Sequence, residues 1–119
     1  MEIIHNNIII ADQVRYYDDF FAKSKGLRFS KKIKPGDAVV LAATEESQIE
    51  TMIDMLFVFF SIDVIWLNQN KEVVDVRRTV RPFTPIIFPR KAAMYVVELP
   101  NGMAKNIKIG DKINFGITE

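Results

Sequence analysis

Asp63 is the acidic residue with the clearest chemical potential in this sequence of 119 residues. Ile65 and Leu67 follow it at the two-residue spacing of a strand face, and apolar residues also occupy the opposite face. We expect this carboxylate to be buried, where it could act as a general base or ligand contact, or accept backbone N–H groups at a loop. The second role is favoured, because no His, Lys or second acid stands beside Asp63.

Eleven of the sixteen basic residues fall into two clusters that contain no acidic residue. The first comprises Lys23, Lys25, Arg28, Lys31, Lys32 and Lys34, and the second comprises Arg77, Arg78, Arg81, Arg90 and Lys91. On one shared face they could bind phosphate groups or nucleic acid, with Phe83 and Phe88 available to stack on bases. Asp18, Asp19 and Asp75 lie close enough in sequence to neutralise both clusters. We therefore expect a solvated surface and, at most, weak binding of nucleic acid.

The composition excludes several kinds of active site. The chain has no Cys and a single His, His5, so thiolate nucleophiles, Cys-ligated metals, two-His zinc sites and Ser/His relays lack their parts. Its five glycines form no phosphate-binding loop. We expect no cofactor and no metal, and catalysis is left open without a motif that supports it.

The overall balance of residues predicts one folded domain over residues 1–119. Apolar residues make up 49% of the chain and the formal net charge is only +1, which favours a hydrophobic core over disorder. The N-terminus lacks the basic start and long apolar run of a signal peptide. The most apolar segment, residues 52–67, is interrupted by Asp54 and Asp63 and is too short to span a membrane. We predict a cytoplasmic location.

Short strands dominate the predicted secondary structure. Their β-branched and aromatic composition assigns strands to residues 8–10, 38–43, 51–60, 62–67, 72–79, 92–99 and 112–117, although residues 51–60 could also form a buried helix. A hairpin turn is predicted over residues 68–71. Three prolines make residues 81–90 an extended loop, because proline lacks the N–H that a helix or central strand needs. The core is predicted to include Trp66, Tyr95, Phe57, Phe59 and Phe60.

Two helical segments complete the predicted structure. Asp12 is a suitable N-cap, Val14 and Tyr17 fit helical spacing and Gly26 supplies a stop, so a helix is predicted over residues 13–25. Asn101 is expected to cap one helical turn over residues 102–107. The whole pattern favours a mainly β protein, a small β-sandwich or barrel-like domain with one N-terminal helix and a short C-terminal helical turn.

Several segments match a known family in order. They are Gly26-Leu27-Arg28-Phe29, Met55 followed by Ile62-Asp63-Val64-Ile65-Trp66-Leu67, Tyr95-Val96-Val97-Glu98-Leu99-Pro100-Asn101-Gly102, and Ile107-Lys108-Ile109-Gly110-Asp111-Lys112-Ile113. Together they resemble the DUF192 family, also called UPF0127, a group of small proteins of bacteria and archaea. The resemblance covers nearly the whole chain. It implies a mainly β, sandwich-like fold and no agreed activity.

One segment departs from the bacterial pattern of that family. Bacterial members typically continue the Met with Lys-Asn-Thr and place Pro before a Leu-Asp pair. Here Leu56-Phe57-Val58 follow Met55, and Ser61 precedes Ile62. This apolar version is more similar to archaeal members, and a polar site built from the triplet is not expected.

Two function classes follow from these observations. The first is a non-catalytic module that binds a small molecule or peptide in a cleft between sheets and the loop over residues 81–90, with Asp63 as a candidate contact. The second binds nucleic acid or another anionic polymer through residues 23–34 and 77–91; its candidate contacts are Arg77, Arg78, Arg81, Phe83, Phe88 and Arg90. A structural subunit of a larger assembly cannot be distinguished from the first class by sequence.

Overall fold

The computed structural model describes residues 1–19, 26–28 and 30–116. Its strands are β1 (Ile3–His5), β2 (Ile8–Tyr17), β3 (Gly36–Ser47), β4 (Ile62–Leu67), β5 (Val73–Val80), β6 (Ala93–Pro100) and β7 (Ile113–Asn114). They form one sheet in the order β5-β4-β6-β3-β2-β1-β7. Only β2 and β3 pair in parallel among these neighbours of the described chain. The prediction of a mainly β protein is confirmed.

The sheet curls into a half-barrel whose two edges meet at one end. Val73 donates to the carbonyl oxygen of Asp111 and accepts from the N–H of Gly110, both at 2.8 Å, and Ile113 donates to Lys71 at 2.9 Å. The inner face therefore gathers apolar side chains from every strand. These are Ile3, Ala11, Ala38, Val40, Ile65, Leu67, Val73, Val97, Leu99 and Ile113, joined by Ala104 and Ile107 from a turn segment.

The outer face carries a second apolar cluster. Strand alternation turns Val39, Val64 and Val96 outward, where they pack with residues of the connecting segments such as Leu27. Trp66 is fully buried on this face, so its predicted place in the core is confirmed. The hairpin after it is confirmed as well, because β4 has the predicted bounds and ends in a turn over residues 68–71. None of the described segments forms a helix long and apolar enough to cross a membrane.

The predicted helix over residues 13–25 is wrong in its described part. Residues 13–17 belong to β2, which pairs with β3 from Gln13 opposite Asp37 to Tyr17 opposite Leu41. Tyr and Val side chains suit a strand, and pairing with a buried neighbour outweighs their approximate helical spacing. Residues 20–25 lie outside the described residues.

The predicted helical turn over residues 102–107 is also wrong. The segment is a succession of tight turns, with N–H groups of Met103, Lys105 and Ile107 each bonded to the carbonyl three residues earlier. Asn101 does not cap it. The N–H groups of Gly102 and Ala104 are instead bonded to the distant carboxylate of Asp63, which a local pattern cannot reveal.

The predicted strand over residues 51–60 is replaced by an irregular loop. Asp54 accepts a hydrogen bond from the N–H of Leu56, and Phe57 has a φ of 59°, a left-handed conformation that breaks an extended chain. Phe57 and Phe59 consequently point outward and are 48% and 59% exposed, so their predicted place in the core was wrong. Phe60 and Tyr95 are partly buried against the two apolar clusters.

Candidate functional site

Two loop segments, residues 49–60 and 81–90, pair over the outer face; we call them the outer ribbon. Main-chain hydrogen bonds join Ile53 and Ile87 in both directions, at 2.9 and 2.7 Å, and join Met55 to the loop over residues 81–90. The indole N–H of Trp66 donates to the carbonyl oxygen of Thr51 at 2.7 Å. The ribbon is thereby fixed to β4 and held above the sheet.

A cavity of about 410 Å³ lies between the sheet, the start of the outer ribbon and residues 26–28. Most of its wall is apolar and includes Leu27, Leu41, Ala43, Ile53, Val58 and Val96. Pockets of roughly 300–1,000 Å³ with apolar walls and a few polar groups are typical of small-molecule sites. Residues 81–90 support this cavity through the ribbon but do not line it.

Glu98 is the charged side chain that the sheet contributes to the cavity wall. In β6 it pairs with Val39 on one side and Val64 on the other. The same row continues to Arg15 beyond Val39 and to Arg77 beyond Val64. Neighbouring strands are about 4.8 Å apart, so each arginine backbone lies roughly two strand spacings from Glu98. Valine therefore flanks the glutamate on both sides.

The carboxyl group of Glu98 is buried without a partner for one of its oxygens. The residue is only 5% exposed, and Oε1 accepts no hydrogen bond within the part of the chain that the structure describes. Burial raises the pKa of Glu98 to about 7, against the opposing effect of Arg28 and Arg15, while Asp54 adds a smaller increase. A large fraction of this carboxyl is therefore protonated at neutral pH.

Arg28 and Asp54 form an ion pair in the cavity wall. Arg28 Nη2 donates to both carboxylate oxygens of Asp54, at 2.7 and 2.6 Å, and both side chains are about one quarter exposed. The two charges largely compensate each other. The guanidinium of Arg28 is thus paired with Asp54, and Arg28 forms no ion pair with Glu98 in the described structure.

Asp63 is placed on the inner side, away from this cavity. Its Oδ1 accepts the N–H of Thr79, and its Oδ2 accepts the N–H groups of Gly102 and Ala104, all at 2.9 Å. The residue is 1% exposed. Three backbone donors compensate the loss of water around the carboxylate, as the structural alternative for Asp63 predicted. Through these contacts Asp63 joins β4 to the N–H groups of residues 79, 102 and 104.

The arginines of the second basic cluster do not share one face. Arg78 donates from Nε to the carbonyl oxygen of Ala104 at 3.1 Å and from Nη2 to that of Ile107 at 2.5 Å. Arg77 projects to the other face, where its Nε lies 3.8 Å from the buried carboxylate of Asp75. Arg78 therefore holds the turn segment rather than contributing to a surface patch with Arg77.

Arg90 also pairs with Asp75. Its Nε lies 3.3 Å from Oδ1, and its backbone N–H donates to Oδ2 at 3.0 Å. Asp75 accepts a further hydrogen bond from the N–H of Val76. Two of the candidate binding arginines, Arg77 and Arg90, thus share one acidic partner, whereas Arg81 lies on the exposed surface.

Phe83 and Phe88 are both exposed on the outer ribbon, at 44% and 47%. Phe83 forms edge-to-face contacts with Phe57 and Phe59, at ring-centroid distances of 6.0 and 5.2 Å. Its φ of 60° is unusual for an aromatic residue. The roles predicted for Asp63, Arg77, Arg78, Arg81, Phe83, Phe88 and Arg90 in binding stay predictions.

Sequence reasoning missed Glu98, Asp54 and the role of Arg28. A signal for Glu98 exists, because it is the acidic residue in a run that is otherwise apolar from Val96 to Leu99. The Arg28–Asp54 pair had no such signal, since it joins two loops far apart in sequence. Within the described ranges, no three side chains of the types His, Asp and Glu are close enough to hold a metal ion.

Comparison with known proteins places the chain in a family. The DUF192 family model, described as "Uncharacterized ACR", matches residues 3–115. The chain belongs to the DUF192 family. It is 38% identical over 111 residues to the UPF0127 protein of Pyrococcus horikoshii, covering 92% of each chain. It is 34% identical over 105 residues to the UPF0127 protein of Pyrococcus furiosus, covering 87% of this chain and 86% of that one.

Two crystal structures share the fold of this DUF192 chain. One is a proposed transcription regulator from Sinorhizobium meliloti 1021, with a TM-score of 0.83, 20% identity and coverage of 95% of this chain and 89% of that one. The other is a protein of unknown function from Novosphingobium aromaticivorans DSM 12444, with a TM-score of 0.80, 17% identity and coverage of 86% and 74%. At these identities the likeness shows the fold alone. The resemblance to archaeal members found in the sequence is confirmed by the Pyrococcus relatives.

Proposed function

We propose that this protein is a non-catalytic binding module that holds a small, mainly apolar molecule in the outer-face cavity. The observation that carries this proposal is the cavity of about 410 Å³ with aliphatic walls between the sheet and the outer ribbon. Burial of an apolar ligand surface in such a space is favourable at about 25 cal/mol per Å². The fixed ribbon supports binding further, because a wall already held in place needs little ordering when a ligand enters.

The charged groups of the cavity favour binding over catalysis. Arg28 and Asp54 neutralise each other, and Glu50 accepts hydrogen bonds from Thr44, which leaves Glu98 as a buried acid with no base in hydrogen-bond contact among the described residues. A lone carboxyl with no His, Lys or second acid bonded to it is a weak basis for general acid–base catalysis. One carboxyl in an apolar wall is sufficient to orient a ligand.

A cavity-filling substitution tests the proposal. Ala43→Leu places a larger side chain in the cavity wall, and Ala92→Leu adds the same atoms at an exposed position outside the cavity. Binding of hexan-1-ol is followed by the NMR shifts of Leu41, Val58 and Val96. We expect saturable shifts in the wild type and the Ala92→Leu control, with affinity weakened about tenfold or more by Ala43→Leu.

Absence of saturable shifts in the folded wild type would overturn the proposal. Equal affinity in the Ala43→Leu variant would do the same, because it would place the alcohol elsewhere. If Ala43→Leu does not fold, Val58→Phe fills the same cavity from the opposite wall.

A second candidate function is binding of single-stranded nucleic acid by the outer ribbon. The observation in its favour is that Phe83 and Phe88 are exposed in the same segment as Arg81 and Arg90. Stacking contributes about 1–3 kcal/mol per base in such sites. It stands second, because Asp75 compensates Arg77 and Arg90 while Arg78 serves the other face.

Salt dependence distinguishes this candidate from incidental charge attraction. If four or five phosphates are engaged, the log–log slope of affinity against salt concentration is about −3 to −4, and Arg77→Glu combined with Arg81→Glu abolishes binding. We expect weak or undetectable binding of a labelled oligonucleotide in fluorescence anisotropy. A sub-micromolar dissociation constant at physiological salt, lost in the double variant, would place nucleic acid first.

A further inference from the structure

We propose that the ligand of the outer-face cavity carries a protonated amine, and that the carboxylate of Glu98 binds it. This inference rests on the proposed function and adds the chemical class of the ligand. Its basis is a buried carboxyl oxygen, Glu98 Oε1, without a donor in the described structure, on a residue that lines a mainly apolar cavity. A buried acceptor left without a donor is costly, so a ligand that supplies one gains affinity.

The groups around Glu98 select a cation over an anion. Arg28 lowers the pKa of Glu98 more than Arg15 does, but both oxygens of Asp54 share the Arg28 guanidinium. Arg15 lies two strands away on β2 and is exposed to solvent, which weakens its effect. Glu50 also lines the cavity and accepts hydrogen bonds from Thr44. An anionic ligand would therefore meet three carboxylates and one arginine that is already paired.

The apolar walls suit the remainder of such a ligand. Leu27, Ile53 and Val58 face the cavity from the connecting segments, and Val96 faces it from β6, two residues before Glu98. Residues two apart on a strand share one face, so an amine at Glu98 directs its hydrocarbon chain along Val96. A primary amine with a short aliphatic or aromatic body matches this arrangement.

Binding of an amine is coupled to ionisation of Glu98. The protonated carboxyl attracts an ammonium group weakly, whereas the carboxylate attracts it strongly. Because the free protein has a Glu98 pKa of about 7, affinity should rise between pH 6 and pH 8. Asp54 and Glu50 are the other acids of the wall, and they are present in every arm of the comparison below.

The test compares hexylamine, hexan-1-ol and sodium hexanoate, which share one hydrocarbon chain. Calorimetry or NMR at pH 8 should show the amine binding about tenfold or more tighter than the alcohol, with hexanoate weakest. In Glu98→Gln the advantage of the amine over the alcohol should disappear while the alcohol keeps its affinity. Glu45→Gln, at an exposed position on β3, is the matched control and should leave both affinities unchanged.

The outcomes separate this inference from the function on which it rests. Equal affinity for amine and alcohol in the wild type, or an advantage that survives Glu98→Gln, would overturn the amine assignment and leave the apolar cavity as a binding site. Tightest binding of hexanoate would also overturn it, and would indicate Arg28 as the anchor. Absence of binding by all three compounds would remove the proposed function as well.

A wild-type measurement keeps the inference testable if Glu98→Gln does not fold. The carboxyl carbon of Glu98 can be titrated by NMR with and without each compound. Saturating hexylamine should lower the pKa of Glu98 by about one unit or more, and hexan-1-ol should leave it in place or raise it. An unchanged pKa with bound hexylamine would contradict contact between the amine and Glu98.

Discussion

Asp63 and Glu98 are close neighbours on the paired strands β4 and β6. Asp63 is opposite Leu99, the residue that follows Glu98, and Glu98 is opposite Val64. Asp63 faces the inner side, where three backbone N–H groups surround it. Glu98 faces the outer side, where one oxygen has no donor within the described residues. Both residues are buried. Their neighbours, rather than their depth, make the two carboxyl groups different.

The difference arises from the segments that cover the two faces. The inner side is closed by a tight-turn segment whose N–H groups at Gly102 and Ala104 are free to bond a side chain, because tight turns leave such donors. The outer ribbon uses N–H groups to pair its own two loop segments and presents aliphatic side chains to the sheet. The first cover therefore supplies donors to its acid, whereas the second leaves one oxygen of Glu98 without a donor among the described residues.

The largest expected effect tests the packing of the outer face. Trp66 fills the core beside the cavity and fastens the ribbon through Thr51, so Trp66→Ala should lower the free energy of unfolding by about 3–5 kcal/mol. Urea unfolding measures the change. Fluorescence of the native protein with an emission maximum typical of fully hydrated indole would refute the burial of Trp66. It would also contradict the attachment of the outer ribbon to β4.

The next prediction concerns the free energy that the fold loses by burying Glu98 without a donor for one of its oxygens. The pKa of Glu98 is raised from 4.5 to about 7 in the folded state, so the native protein keeps a proton that the unfolded chain has released. Stability should therefore fall as pH rises from about 4.5 through 7, by about 3 kcal/mol in total at about 1.4 kcal/mol per unit. Urea unfolding at a series of pH values from 4 to 9 measures this expected decline in the free energy of unfolding.

The matched variant Glu98→Gln removes the effect and so serves as the control. Asp111 acts in the opposite sense at acid pH, because the N–H of Lys108 and the side chain of His5 lower its pKa. Subtracting the unfolding free energy of the variant from that of the wild type at each pH cancels the contribution of Asp111. A difference that stays constant across the range would show that Glu98 is not held in a desolvated site.

A smaller effect separates the two adjacent arginines. Arg78 bonds the carbonyl groups of Ala104 and Ile107 in the segment that Asp63 also holds, so Arg78→Met should lower stability by about 1–2 kcal/mol. Arg77→Met removes a contact of 3.8 Å with the buried Asp75, which keeps Arg90 and two backbone N–H groups as partners, and should change stability by less than about 1 kcal/mol. Equal effects in thermal unfolding would contradict the assignment of Arg78 to the inner cover.

The predictable parts of the fold are those with strong local signals. β4 and its hairpin could be predicted because a continuous apolar run is followed by turn residues, and the burial of Trp66 follows from that position. The helix over residues 13–25 failed because the partner that makes residues 13–17 a strand, β3, lies about twenty residues further along the chain. Long-range pairing of this kind leaves no trace in local spacing.

The candidate site was less predictable than the fold. The structural role of Asp63 could be inferred from its apolar surroundings, but its donors come from residues 79, 102 and 104. Glu98 could have been noticed in an apolar strand by the same reasoning. The absence of a hydrogen-bond donor for Glu98 could not be predicted from the sequence, because it depends on how the outer ribbon and residues 26–28 lie above β6. The different roles of Arg78 and Arg77 could not be predicted either, because their partners on the two faces of the sheet become known only from the fold.

The most direct test of the account is one pair of near-isosteric substitutions measured at pH 8. Asp63→Asn replaces an acceptor oxygen by an amide N–H that faces a backbone donor, and should lower the free energy of unfolding by about 1–3 kcal/mol. Glu98→Gln removes an ionised group from an apolar wall and should raise it. Opposite signs in urea unfolding are the predicted result. A loss of stability in both variants would contradict the claim that, of these two acids, Glu98 is the one that lacks a donor among the described residues.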